Sequence, residues 1–371
     1  MVKVRCERMI AVIVSSFDTY LERIELLKEY YEKQRYEVYV IVSDFRHFKK
    51  EKVLDKKEDF WYISTKPYFK NISFRRLHSH YCFAKDAFIK VKELHPDILH
   101  VLVPANSLAK EASLYKKKHS NVKLYLDLID LWPETMPIGM IKKYFPFTVW
   151  KNVRDKNLYN ADIVFTECNL YRNVLGKEKD QRFVTLHWAK KDGAAPSNPV
   201  INNANIELCY LGSINNIIDI DCIIEICTIL KKEKLVKLHI IGNGEKKDEL
   251  LQKLMQNDIT FVDHGTIYDK KEKQVIFDQC DFGLNIMKNN VCVGLTMKSL
   301  DYLQGGLPMI NNIKFDTAQL IDQYSIGVNV VQDFSELDKL DKVVRENVRK
   351  VYEEKFSKKA MFQKLDETIK E

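Results

Sequence analysis

Along this chain short, nearly unbroken apolar runs alternate with longer stretches in which apolar positions recur every three or four residues. In the first half the runs are IAVIV (10–14), VYVIVS (38–43), ILHVLV (98–103), KLYLDLI (123–129), DIVFTE (162–167) and FVTLHW (183–188). Runs this apolar suit strands covered on both faces, as in a parallel sheet. Helix-period stretches such as Tyr20–Gln34 and Phe83–Glu93 lie between them. Strand, helix, strand repeated in this way predicts a doubly wound α/β unit.

The texture breaks at DGAAPSNPVINNAN (192–205), where periodicity is lost and Gly, Ala, Pro, Ser and Asn dominate, as in a linker. The rhythm then restarts with IELCYLG (206–212), VKLHIIG (236–242), ITFVDHG (259–265), DFGLNIM (281–287), LPMIN (307–311) and a short run over 327–331. Helices are predicted from Asp219, Glu245, Asp269 and about Thr296. The expected organisation is a first Rossmann-like domain over 1–191, a second over 206–340, and charged C-terminal helices over 341–371.

Composition narrows the class. The chain has 371 residues, 46% hydrophobic and 30% charged, which suits two globular domains. No apolar run is long enough to span a bilayer. The apolar stretch near the N-terminus is short and reads as a first strand, not a leader peptide. Eight cysteines are scattered without metal or disulfide spacing, which suits reduced core residues of a cytoplasmic protein. His78 and His80 have no accompanying acid or cysteine cluster, so no metal is expected.

The charge is uneven. Residues 1–190 carry 35 Lys and Arg against 24 Asp and Glu, whereas 191–371 carry 24 against 28. A basic half suits an anionic partner such as a membrane surface, with Lys116–Lys118, Lys142 and Lys143 as the candidate patch. Aromatics do not interleave with the basic clusters, which argues against nucleic acid.

In open α/β sheets ligands bind beyond the carboxyl ends of the strands. Four such turns in the second half carry small or polar residues. LGSINN (211–216) presents Gly212, Ser213 and Asn215; IGNGE (241–245) presents Gly242; HGTIYD (264–269) presents Thr266 and Ile267. The fourth is VGLTMKSLDYLQGGLPMI (293–310). There Gly294, Leu295 and Thr296 precede a helix whose free amides and dipole attract phosphate. Lys298 lies in the first turn, and Asp301 follows one turn on, where a carboxylate can accept a ribose diol. Together these predict a nucleoside-diphosphate site.

KSLDYLQGGLPMI resembles the donor-site helix of family 4 glycosyltransferases, and YLGS and IIGNGE resemble two further landmarks of that family. LIDLWPE (128–134) is similar to the D-L-W-P stretch of members that build capsule and exopolysaccharide. The resemblance implies a GT-B fold: an acceptor domain, a donor domain, a cleft between them, and a last helix returning to the first domain. It also implies retaining, metal-independent transfer of a sugar from a nucleotide sugar, a UDP-sugar foremost, to a glycan or lipid-linked acceptor in surface polysaccharide synthesis. The nucleotide sugar is a substrate, and no cofactor is implied.

By position, Lys298 would neutralise the diphosphate, Asp301 would bind ribose, Gly294–Thr296 would offer amides, Thr266 and Ile267 would face the base, and Gly212 and Ser213 would line the phosphate pocket. The chain departs from the family pattern at Val293, where many members have Glu, and in its first loop, where Gly-Ser-Ile-Asn-Asn replaces a basic pair. In the first half, Ser16 follows the first strand where the donor phosphates approach in this fold. Asp127, Asp130 and Trp132 lie at the end of the fourth strand and are the candidate acceptor-binding residues, with Asp130 also a candidate catalytic group; a helix N-cap before Pro133 is the structural alternative. Two other functions fit the same architecture: a sugar-nucleotide 2-epimerase, and a non-catalytic partner subunit of a transferase.

Overall fold

A computed structural model describes residues 9–136, 138–191, 193, 205–330, 334–343 and 345–369. The linker expected over 192–205 lies outside them except for residues 193 and 205. The chain forms two compact units. The first runs through Glu167 and adds Tyr171–Trp188 and the C-terminal end from Phe362; the second is Ala189–Met361 with Cys168–Leu170.

In the first unit the elements are β1 (Ile10–Ser15), α1 (Leu21–Lys33), β2 (Glu37–Ser43), the small hairpin β3 (Phe45–Arg46) and β4 (Glu51–Lys52), β5 (Phe60–Ile63), α2 (Phe74–Leu94), β6 (Ile98–Val103), α3 (Asn106–Lys118), β7 (Lys123–Leu128), α4 (Phe147–Leu158), β8 (Ile163–Thr166), α5 (Asn169–Val174, from Tyr171 onward) and β9 (Phe183–Thr185). The described strands form a parallel sheet in the order β5-β2-β1-β6-β7-β8-β9. The order reverses between β1 and β6, which is the ligand-binding switch point of a doubly wound sheet. All six residues of β6 are buried, as its unbroken apolar run requires.

Two elements differ from expectation. The edge strand β5 is only FWYI, four residues after a charged segment, too short to show a period. Helix α2 begins at Phe74, nine residues before Phe83, because the Ser73 hydroxyl caps it by accepting from the Arg76 amide at 3.2 Å. The exposed Phe74 in the first turn disguises that start in the sequence.

The second unit contains β10 (Asn205–Leu211), α6 (Ile220–Leu230), β11 (Leu235–Ile241), α7 (Lys247–Gln256), β12 (Thr260–Gly265), α8 (Lys270–Phe277), β13 (Phe282–Asn285), α9 (Met297–Gln304), β14 (Met309–Asn311), α10 (Asp316–Tyr324), β15 (Gly327–Asn329), α11 (Arg345–Lys355) and most of the first turn of α12 (Lys358–Ile369). The remainder of α12 belongs to the first unit, where the Phe362 ring packs on Tyr30 and Asp366 accepts from the Tyr30 hydroxyl at 3.0 Å. The second sheet has the order β12-β11-β10-β13-β14-β15, all parallel, with its switch point between β10 and β13. Its core joins Leu208 and Tyr210 of β10, Leu238 and Ile240 of β11, and Ile223, Ile226 and Cys227 of α6. Alternate positions of one strand thus feed one apolar layer. Cys168, Cys209, Cys227 and Cys280 are buried thiols.

Candidate active site

In the second unit the turns after β10, β11 and β12 are stitched together. The Gly212 amide donates to Ile241 O at 2.9 Å, the Ile214 amide to Asn243 O at 2.9 Å, and the Gly242 amide to Gly265 O at 2.7 Å. Gly212 has φ +113°, a conformation that favours glycine. Gly242 is required for a different reason: a Cβ there would collide with the Gly212 carbonyl oxygen. Ser213 is exposed at the tip, and the Asn215 carboxamide accepts from the Ile217 amide at 3.1 Å, holding the turn. Thr266 is exposed and Ile267 half-buried just beyond β12.

Helix α9 is tied to the end of β10. The Tyr302 hydroxyl accepts from the Leu211 amide at 2.9 Å and donates to Cys209 O at 3.0 Å, so it bonds the end of β10 directly. At the other end of the helix Lys298 lies over the Tyr210 ring, its ammonium 4.6 Å from the ring centre. The Tyr210 hydroxyl in turn donates to Ser213 O at 2.9 Å. The Lys298 ammonium is out of solvent and has no hydrogen-bond partner among the described residues. Burial lowers its pKa to about 7. A buried cation with an aromatic face on one side and no counter-ion is costly unless an anion completes it.

The helix start is more occupied than expected. Thr296 and Ser299 form a capping box: the Ser299 amide donates to Thr296 Oγ1 at 3.0 Å and the Thr296 amide to Ser299 Oγ at 3.1 Å. Thr296 Oγ1 also donates to Asn285, the first member of a side-chain ladder through Asn311 to Asn329 across β13, β14 and β15. Gly294 is buried, its carbonyl accepting from the amide and hydroxyl of Thr317, and Leu295 is buried beside it. The Thr296 amide is therefore spent within the protein, and the capping bonds do not use the amides of Met297 and Lys298. Val293 is half-buried and brings no polar group.

Asp301 does not share an environment with Lys298, although both lie on α9. Its Oδ1 accepts from Lys190 at 2.7 Å and lies 3.5 Å from Lys273. Neither lysine belongs to a motif in the sequence. Lys190 is 111 positions away, and nothing local marks it.

In the first unit the structure separates the two acidic candidates. Asp127 is fully buried; Arg23 Nε and Nη2 donate to its two oxygens at 2.6 and 2.9 Å. Burial pushes this carboxyl up, but Arg23 and His100 outweigh it and hold it below the ordinary value. A carboxylate committed in this way has no oxygen for an acceptor, so the acceptor role expected of Asp127 is corrected to a structural one. Asp130, beyond the strand, is half-buried and accepts from the Tyr20 hydroxyl at 2.8 Å. Burial raises its carboxyl to about 6. Trp132 is half-buried beside it, with Phe17 edge-on at 5.4 Å and His80 stacked at 6.3 Å.

Ser16 joins the two turns of the first switch point. Its hydroxyl donates to Pro104 O at 3.2 Å and accepts from the Ala105 amide at 3.1 Å, so it is largely occupied in holding them. The expected basic patch is also partly spent: Lys116 pairs with Asp162 and donates to Val122 O, and Lys142 donates to Glu134 O. No group of metal-ligating side chains, and no helix long and apolar enough to cross a membrane, occurs among the described residues.

No protein-family model and no curated protein matches the sequence. Solved structures do match in shape over nearly the whole chain. Sucrose-phosphate synthase of Thermosynechococcus elongatus aligns with a TM-score of 0.70 at 10% identity, covering 98% of each chain. HepE of Anabaena, solved in complex with UDP, aligns with a TM-score of 0.68 at 11% identity, covering 98% of this chain and 99% of its own. The lipopolysaccharide outer core galactosyltransferase WaaB aligns at 0.63 and 14% identity, covering 97% and 99%. At such identities the likeness is one of fold: this chain has the two Rossmann-like α/β domains of the GT-B fold.

Proposed function

We propose that the chain is a retaining, metal-independent glycosyltransferase that moves a sugar from a nucleoside-diphosphate sugar, a UDP-sugar foremost, to a glycan or lipid-linked acceptor in bacterial surface polysaccharide synthesis. The observation that carries the reading is the buried, unpaired ammonium of Lys298 at the switch point of the second sheet. A diphosphate bound at the turns after β10 and β11 would supply the missing counter-charge. When the glycosidic bond to the diphosphate breaks, negative charge grows on the leaving oxygen, and a preorganised cation in a dry setting stabilises it most. Ser213 and the amides at the start of α9 would complete the phosphate contacts, Thr266 and Ile267 would face the base, and Asp301 would take the ribose. In the first unit Asp130 would orient the acceptor hydroxyl, with Trp132 as an apolar wall. That HepE was solved with UDP supports the choice of nucleotide.

Calorimetric titration of the full chain with UDP, GDP and ADP tests the reading. UDP should bind at micromolar concentration, and failure of all three to bind below millimolar sinks it. A panel of nucleotide sugars then separates a transferase, which releases nucleotide only with an acceptor, from an epimerase and from a partner subunit that binds without turnover. Half-buried Val293, at a position where the family resemblance expects a carboxylate, is the observation that keeps the partner-subunit reading in play. Working on the inner face of the cell membrane is part of the proposal, and co-sedimentation with anionic and neutral vesicles tests it.

A further inference from the structure

Of the two oxygens of the Asp301 carboxylate, one carries both lysine contacts. Lys190 Nζ donates to Oδ1 at 2.7 Å, and Lys273 Nζ donates to the same atom at 3.5 Å. Both cations are largely out of solvent, the Lys190 and Lys273 side chains being 10% and 16% exposed. The other oxygen, Oδ2, accepts no hydrogen bond among the described residues and is not sealed from solvent. An ionised carboxylate offers about four acceptor sites, two on each oxygen. Here the two sites of Oδ1 are filled by the protein itself, and those of Oδ2 are open.

The backbone fixes this arrangement. The Lys190 amide donates to Phe356 O at 3.3 Å, and the Lys190 carbonyl accepts from the Tyr352 hydroxyl at 3.3 Å. The next carbonyl, that of Lys191, accepts from Gln304 Nε2 at 2.8 Å and from Lys270 Nζ at 3.0 Å. Gln304 lies on α9 itself, Lys270 on α8 and Tyr352 on α11, so three helices of the second unit hold the segment that carries Lys190. Lys273 is supplied by α8, one turn past Lys270. Parting a mostly buried, hydrogen-bonded ion pair is costly, because each charge left behind has already lost its water. A neutral hydroxyl is a weaker partner for Oδ1 than the ammonium already there.

A carboxylate that reads a vicinal diol gives one oxygen to each hydroxyl, and Asp301 has one oxygen to give. We propose that Asp301 reads a single hydroxyl of the nucleotide's ribose through Oδ2, and that Lys190, by holding Oδ1, is the residue that sets this selectivity. The proposal rests on the reading of the second unit as the nucleotide site. Within that reading it states what the site recognises: one of the two ribose hydroxyls is required and the other is dispensable.

The test titrates the full chain by calorimetry with UDP, 2′-deoxy-UDP, 3′-deoxy-UDP and 2′,3′-dideoxy-UDP. One monodeoxy nucleotide should bind about ten- to a hundredfold more weakly than UDP, the usual worth of a hydrogen bond to a charged group. The other should bind within about threefold of UDP, and the dideoxy nucleotide should be no weaker than the sensitive analogue. Lys190→Met releases Oδ1 from its closer partner and makes it available to the second hydroxyl. The analogue tolerated by the native chain should then fall about three- to tenfold below UDP, a change of selectivity that a merely structural role for Lys190 does not produce. The native chain decides the first point without any variant: both monodeoxy nucleotides weakened alike, or neither weakened, overturns the proposal. An unchanged pattern in Lys190→Met, with urea unfolding showing the variant folded, overturns the role given to Lys190. Failure of UDP itself to bind overturns the nucleotide reading, whereas UDP binding with an indiscriminate response to the two deoxy analogues overturns this proposal alone.

Discussion

The Lys298 ammonium lies 4.6 Å from the centre of the Tyr210 ring, and the Tyr210 hydroxyl bonds the carbonyl of Ser213. One tyrosine therefore seats the cation on its face and shapes the glycine turn with its tip. This couples two features that a diphosphate would touch: the charge and the loop that admits the backbone.

Replacing Lys298 with Met should separate binding from stability. Loss of the fixed cation should lower UDP affinity or transfer by on the order of 100–1000-fold, about 2.7–4 kcal/mol. The unliganded protein should be as stable as the parent or more so, since Met fills the space without burying a charge. Calorimetry and urea unfolding at neutral pH check both; an undiminished UDP affinity would exclude Lys298 from the site.

The same group predicts pH effects with defined signs. Its folded pKa is about 7 against an ordinary 10.5. Between these values the unfolded chain binds a proton that the folded chain lacks, so Lys298 contributes a rise in stability with pH across that window. A bound diphosphate raises the folded pKa again, so UDP binding at pH 8 should take up a proton and weaken as pH increases. Titrations in buffers of different ionisation enthalpy read the uptake directly, and Lys298→Met should abolish it.

Asp301→Ala should chiefly weaken nucleotide binding. The change leaves Lys190 and Lys273 facing each other without their shared carboxylate. Comparing UDP with uracil-free ribose 5-phosphate and with pyrophosphate identifies what is lost: affinity for pyrophosphate should hold, and the ribose-dependent increment should fall.

Asp130 should confer an acidic limb on transfer. Its carboxyl is raised to about 6, so lowering the pH through that value protonates it and removes the acceptor for a substrate hydroxyl. The pH profile of kcat/KM for the acceptor should fall below about 6, and Asp130→Asn should lower it overall and flatten that limb.

Gly242→Ala should destabilise the second unit by about 1–3 kcal/mol, because the added methyl meets the Gly212 carbonyl and neither backbone can move away from the sheet. A shift in the urea midpoint, with nucleotide affinity reduced in the same variant, is the expected result.

What the chain determines by itself is local. Strand runs such as ILHVLV and VKLHIIG, the glycine turns at Gly212 and Gly242, and the Thr296 cap are all set by residues within a few positions of one another. Period and turn chemistry make them legible, and with them the two doubly wound sheets and the turns at the carboxyl ends of their strands. The tertiary structure decided which polar groups are spent and which are left over. Asp127 and Asp130 are near neighbours in sequence, yet Arg23, 104 positions from Asp127, takes the first and leaves the second to Tyr20. Lys298 and Asp301 share a helix, yet one is left bare on Tyr210 and the other is claimed by Lys190. Among the described buried arginines of the first unit, Arg23 and Arg154 have found carboxylates, whereas Arg76 is held by aromatic rings. Charge pairing depends on distance through space and on desolvation, and neither is written in the spacing of residues along the chain.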